Sequence, residues 1–162
     1  MQIPYALNHI AISVPDVVAA SKWYVDVLGF HELRPPHTTD RAVTPDDGLF
    51  KMYPPDLQKV TMAYLSAGNG IGVELFEFQE PRIAPEARAD FARDYKRGGY
   101  FHMAVTAPDV EALCERAVAA GARKIGATIP VFEYEAIYIE DPWGNVVELI
   151  SASFERMMSN RA

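Results

Sequence analysis

Two histidines and two glutamates recur at matching places in this chain. His9 opens the run HIAISVPDV (9–17) and His102 opens HMAVTAPDV (102–110), while Glu74 is centred in GIGVELF (70–76) and Glu148 in GNVVELI (144–150). A polar residue repeated at one place in a duplicated strand is how a repeated module builds a two-sided site. Strand parity puts His9 beside Ala11 and Ser13, Glu74 beside Phe76 and Phe78, His102 beside Ala104 and Thr106, and Glu148 beside Val146 and Ile150. A carboxylate among small and apolar neighbours is costly unless something pairs with it, and a divalent cation would do so. Two imidazoles and two carboxylates suit Zn, Ni, Co, Mn or Fe(II) and suit Ca poorly. The expectation is one divalent metal on His9, Glu74, His102 and Glu148. The residues alone leave open a second reading, in which a symmetric ancestor left symmetric residues without a metal.

The elements that must position these residues repeat as well. Residues 8–14 read as a strand, Asp16 as the N-cap of a helix from Val17 to Leu28, and Gly29 as its stop; residues 100–106, Asp109, a helix from Val110 and Gly121 repeat the pattern. Strand-like runs follow at 60–66 and 71–78, and again at 131–139 and 145–151. The unit is strand, helix, then about three strands, twice over. His9 to Glu74 spans 65 residues and His102 to Glu148 spans 46. The surplus falls at 34–59, where Pro35, Pro36, Pro45, Pro54 and Pro55 predict a loop, either a flap over the site or a disordered insertion. Module one is expected over about 5–80, a linker over about 81–98 with a short helix near 85–96, and module two over about 99–153, all within one domain of 162 residues.

At 49% hydrophobic and 23% charged, the chain has the composition of a globular protein with a sizeable core, and its net charge of −7 argues against nucleic acid or an anionic membrane as partner. No apolar run approaches the ~20 residues that span a bilayer, and the start lacks the pattern of a signal peptide, so a cytoplasmic location is expected. A small-molecule substrate and a second copy in a homodimer are the expected partners. The single cysteine, Cys114, falls in a helix as a small buried side chain.

LNHIAISVPD (7–16), WYVDVLGF (23–30), FHMAVTAPDV (101–110) and EDPWGNVVELI (140–150) together resemble the vicinal oxygen chelate superfamily, across nearly the whole chain. That resemblance implies an α+β fold in which two βαβββ modules form a U-shaped mixed sheet around a metal. It places His9, Glu74, His102 and Glu148 on the family's four metal positions and makes Glu148 the catalytic base with Glu74 as its counterpart. Ser13 and Phe78 stand where glyoxalase I carries an arginine and an asparagine that contact glutathione, and Glu74 stands where methylmalonyl-CoA epimerase carries glutamine. The implied activity is thus a glyoxalase-like lyase or isomerase with a different substrate, moving a proton next to a chelated carbonyl. Phe50, Met52, Tyr53, Met62, Tyr64, Phe132, Tyr134 and Tyr138 on the flanking segments point to an apolar or aromatic small molecule. An Fe(II) extradiol-type dioxygenase and a non-catalytic binding or resistance protein are the alternatives.

Overall fold

The computed structural model describes residues 5–84 and 88–159. The chain divides into two compact units, 1–87 and 88–162. The first unit contains β1 (His9–Ser13), α1 (Val17–Leu28), β2 (His31–Asp40), α2 (Leu49–Met52), β3 (Lys59–Ser66) and β4 (Gly72–Glu80); the second contains α3 (Phe91–Asp94), β5 (His102–Thr106), α4 (Val110–Ala119), β6 (Arg123–Val131), β7 (Tyr134–Glu140), β8 (Val146–Ile150) and α5 (Phe154–Met158). Each holds a four-stranded mixed sheet, ordered β1-β4-β3-β2 and β5-β8-β7-β6. The fold is therefore α+β, a βαβββ module used twice.

In each module the first strand lies parallel to the last and every other pairing is antiparallel. A parallel neighbour cannot be reached by a tight turn, and α1 and α4 begin the crossovers. Asp16 caps α1 by accepting from the Ala19 N–H, and Asp109 caps α4 by accepting from the Ala112 N–H. Gly29 ends α1 at φ +73°, in the left-handed region that glycine enters without steric cost. Helix α1 buries Val17, Ala20, Trp23, Tyr24 and Val27. It meets β3 and β4, whose fully buried Ala63, Leu65, Val73 and Leu75 form the rest of that layer. Burying each large apolar side chain there contributes roughly 1.5–3 kcal/mol.

Two strands depart from the expected pattern. Residues 34–40, expected as loop, belong to β2, and β6 runs over Arg123–Val131, so that the expected strand 131–139 is broken at Phe132, whose φ is +58°. β2 lies at the edge of its sheet, where Pro35 and Pro36 cost no central ladder bond, and its register against β3 shifts on both sides of Arg34. The remaining insertion is ordered. Its short helix α2 places Phe50 beside Leu57, Val60, Met62 and Phe76 in a second small core, with Tyr53, Tyr64 and Phe78 packed against it. Arg41 fastens the segment, donating from Nε to the Leu57 carbonyl at 2.9 Å with its guanidinium 4.3 Å from the centre of the Phe50 ring.

The expected linker is likewise structured where it is described. Residues 85–87 of the expected helix lie outside the described residues, and what forms is the single turn Phe91–Asp94. Arg88 donates to the Pro142 carbonyl at 2.7 Å and the Phe91 N–H donates to Glu140 Oε1 at 2.7 Å, so this stretch docks on the β7–β8 turn. Arg93 pairs with its neighbour Asp94, holding that carboxyl down at about 2. Among the described residues no helix is long and apolar enough to cross a membrane. Cys114 is buried, and burial is the main cause that raises its thiol pKa, in keeping with a packing role.

Candidate functional site

In module one, β1 and β4 run side by side with Ala11 opposite Glu74, and the sheet face away from α1 carries both His9 and Glu74. His9 Nε2 lies 3.5 Å from Glu74 Oε2. In module two, Ala104 stands opposite Glu148, and His102 Nε2 lies 3.3 Å from Glu148 Oε2. The four expected residues thus fall into two equivalent pairs, one within each module. Among the described residues no group of three or more histidine, cysteine, aspartate or glutamate side chains is gathered as a metal site.

Each pair fits two ligands of one ion. With metal bonds of about 2.0–2.2 Å, two donor atoms on a four- or six-coordinate centre sit about 3.0–3.5 Å apart. Both pairs meet that spacing, and both offer one Nε2 and one carboxylate oxygen. The other ring nitrogens are treated differently. His9 Nδ1 is 2.7 Å from Asn8 Oδ1, a contact that orients the imidazole, whereas His102 Nδ1 is buried without a hydrogen-bond partner and its ring is set by Phe101 at 4.5 Å and Tyr138 at 5.3 Å between centroids.

A third residue belongs to each pair, a tyrosine that the sequence offered only as one of several aromatic residues of a pocket. Tyr64 is the cross-strand partner of Glu74, and Tyr138 is the partner of Glu148. Directly opposed residues share a face with Cβ atoms about 5 Å apart, so each glutamate has a phenol as its nearest lateral neighbour. Burial, and then the negative charge of the adjacent glutamate, raises the pKa of both tyrosines. They therefore stay protonated at neutral pH and can donate. The signal was present in the chain, since each tyrosine precedes its glutamate by 10 residues.

The aromatic residues expected to line a pocket divide by burial. Phe50, Met62 and Phe76 are core; Tyr53, Tyr64 and Phe78 are partly buried against that core; Met52 and Phe132 are largely exposed; Tyr134 packs on the small cluster of Ala136, Ile150 and Met157. The tyrosines at 64 and 138 are the ones that flank the glutamates directly.

Two duplicated sheets, each presenting a His–Glu pair from its first and last strands, define a class of protein that comparison identifies. The chain belongs to the glyoxalase/bleomycin resistance protein/dioxygenase superfamily, whose model matches residues 6–149. It is 31% identical over 167 residues to a 2-epi-5-epi-valiolone epimerase from an Actinomyces species, covering 96% of this chain and 86% of that protein. Among solved structures it is similar to a glyoxalase family protein from Bacillus cereus, with a TM-score of 0.71 at 18% identity over 92% of this chain and 95% of that one. It is also similar to the trypanothione-dependent glyoxalase I of Leishmania major, with a TM-score of 0.58 at 20% identity over 91% and 86%. At those identities the structural likeness speaks to the fold. The name of the Actinomyces relative describes an epimerisation, which is consistent with an isomerase.

Proposed function

We propose that the chain is a metal-dependent isomerase that inverts a carbon next to a ketone, with His9, Glu74, His102 and Glu148 as the ligand set and Glu148 and Glu74 as the proton-transferring pair. The observation that carries this reading is the repetition of one His–Glu pair, with one spacing and one flanking tyrosine, in both modules. The likeness to an epimerase supports the choice of isomerase, and a hydroxylated cyclic ketone of the 2-epi-5-epi-valiolone kind is the substrate to try first.

A divalent metal on these ligands would supply Lewis acidity toward the ketone oxygen. The protein's own work is proton transfer. The carboxylate of Glu148 takes the proton from the carbon beside the carbonyl, and the C–H electron pair moves into the carbonyl as an enolate. Glu74 relays a proton from solvent to the opposite face of the enolate, and the proton held by Glu148 passes back to solvent, so that both carboxylates regain their starting state. Tyr64 and Tyr138, kept as neutral phenols, are placed to donate to substrate oxygen as negative charge develops, and donors already oriented act most strongly there.

The test is incubation of the metal-loaded protein with 2-epi-5-epi-valiolone in deuterated water. One deuterium at the carbon beside the carbonyl, with the epimer formed and both lost in Glu148→Gln, is expected. Fully metal-loaded protein that exchanges no deuterium into this ketone or related hydroxylated ketones would overturn the reading.

A further inference from the structure

The irregularity in β2 places two side chains where a regular strand could not. Arg34 and His37 are three residues apart, an odd spacing that puts them on opposite faces of an unbroken strand. Here Arg34 pairs with Tyr64 and His37 with Met62, so three steps along β2 match two along β3, and the extra residue falls within Arg34-Pro35-Pro36-His37. A bulge of this kind re-aims side chains, and two prolines without N–H groups suit the place where the ladder is already interrupted. Its effect is to turn both Arg34 and His37 onto the face that carries Glu74, because Tyr64 and Met62 pair onward with Glu74 and Phe76.

Both side chains have spare hydrogen-bonding capacity. The Arg34 guanidinium carbon lies 5.9 Å from the centre of the Tyr64 ring, and no carboxylate forms an ion pair with it among the described residues. The His37 ring is stacked on the same tyrosine at 5.5 Å and 19°, with Nδ1 buried and without a partner. Burial first, and then the nearby Arg34 charge, lowers the His37 pKa, while Asp47 pulls it upward; Asp47 Oδ1 itself accepts from the Leu49 N–H at 2.8 Å. Among the described residues the corresponding strand of module two carries no arginine and histidine at these places. There Ile125 stands opposite Tyr138, and the register shift after it passes through Gly126.

We propose that the β2 bulge is a recognition site for an oxyanion, with Arg34 supplying charge and His37 an N–H, so that the substrate is a hydroxylated ketone of the proposed class that bears a phosphate or carboxylate, rather than the neutral ketone itself, with that group held by module one. Resting on the isomerase reading for its place in catalysis, the site makes the two halves unequal: one grips a charged substituent and the other presents Ile125 and aromatic rings.

The experiment uses the full chain stripped of metal, with inorganic phosphate and acetate as separate probes, followed by calorimetry and by the His37 imidazole resonances. Saturable binding of at least one probe with movement of the His37 signals is expected, and the stronger probe identifies the oxyanion. Arg34→Ala should weaken binding about tenfold or more, since a charge-assisted bond is lost. His37→Phe, which keeps the ring stack, should weaken it less, and Ile125→Ala should leave it unchanged. Absence of saturable binding, or equal affinity in Arg34→Ala, overturns the proposal. The readout needs neither metal nor turnover, so a failure of deuterium exchange with oxyanion binding intact counts against the isomerase reading alone. Intact exchange without oxyanion binding counts against this site alone.

Discussion

Gly144→Ala should destabilise the second module by much more than the usual glycine penalty. Gly144 closes the turn between β7 and β8, two residues before the strand that carries Glu148, and its φ is +94°. An alanine there meets two separate costs. Backbone strain at positive φ is roughly 1–2 kcal/mol. A new Cβ would also fall inside the contact distance of the Ala89 carbonyl oxygen, with the carbonyl carbon only 2.9 Å away. Backbone rather than a flexible side chain must then give way, at a cost of about 1–3 kcal/mol by the measure of overpacked sites. Gly29→Ala is the control, because Gly29 has φ +73° and nothing within 4 Å of the added atom. For a chain of this size each kcal/mol lowers Tm by about 2–4 °C. Thermal unfolding should therefore place Gly29→Ala roughly 2–8 °C below the parent and Gly144→Ala roughly 4–20 °C below it. The displaced segment includes Arg88 and Phe91, so tryptic cleavage at Arg88, Arg93 or Lys96 should accelerate in Gly144→Ala and not in Gly29→Ala. Equal shifts in the two variants, with unchanged cleavage, would refute the account of residues 88–90 as docked on this turn.

Four further outcomes are open to measurement. Tyr64→Phe and Tyr138→Phe should each lower turnover about tenfold or more while metal content stays at the parent level, as expected of donors that act on developing charge; loss of metal would instead make them supports for the ligands. Phe76→Ala should cost about 3–5 kcal/mol in urea unfolding and Phe78→Ala less, because Phe76 is buried in the core that holds the insertion and Phe78 is only partly buried; a reversed order would say the segment rests elsewhere. The His37 imidazole should titrate below 6.5, its burial and Arg34 being the causes. A group whose folded pKa is depressed contributes stability above its unfolded value and loses it as pH falls through the folded one, so His37→Phe should blunt acid destabilisation below about pH 6.5. Finally, with Fe(II) bound the parent should consume no oxygen with catechols, and a rate near or above roughly 1 per second would favour the dioxygenase alternative.

Much of the fold could be read from local chemistry. Asp16 and Asp109 announced helix starts that the structure reproduces at Val17 and Val110, and the HIAIS, HMAVT and VEL runs announced the first and last strands. What escaped was β2 and β6. Proline and glycine count against a strand when its neighbours are unknown, and only the sheet order reveals that β2 and β6 are edges where interrupted ladders are tolerated. The same blindness hid Arg34 and His37, which fall in the stretch expected as loop and share a face only through the bulge. Tyr64 and Tyr138 were legible in principle, through their common offset from the glutamates, but they merged with other aromatic residues whose cross-strand partners the sequence does not print. The histidine and glutamate pairs were legible because duplication displayed them twice.

Because each pair joins the first strand of a module to its last, it forms only when the ends of that module have met. An ion held at a pair, as proposed, would thus report completed topology and not local structure, and a chain caught partway through folding, with its helix and hairpin formed but β1 or β5 undocked, would hold no second donor with which to retain it. The two closures differ in length, 65 residues against 46. By the logarithmic cost of loop closure this difference amounts to only about 0.3 kcal/mol. An insertion between His9 and Glu74 is therefore almost free thermodynamically, which leaves the stretch between α1 and β3 as a place where residues can be added, the bulged Arg34 and His37 among them, without parting the pair at its ends.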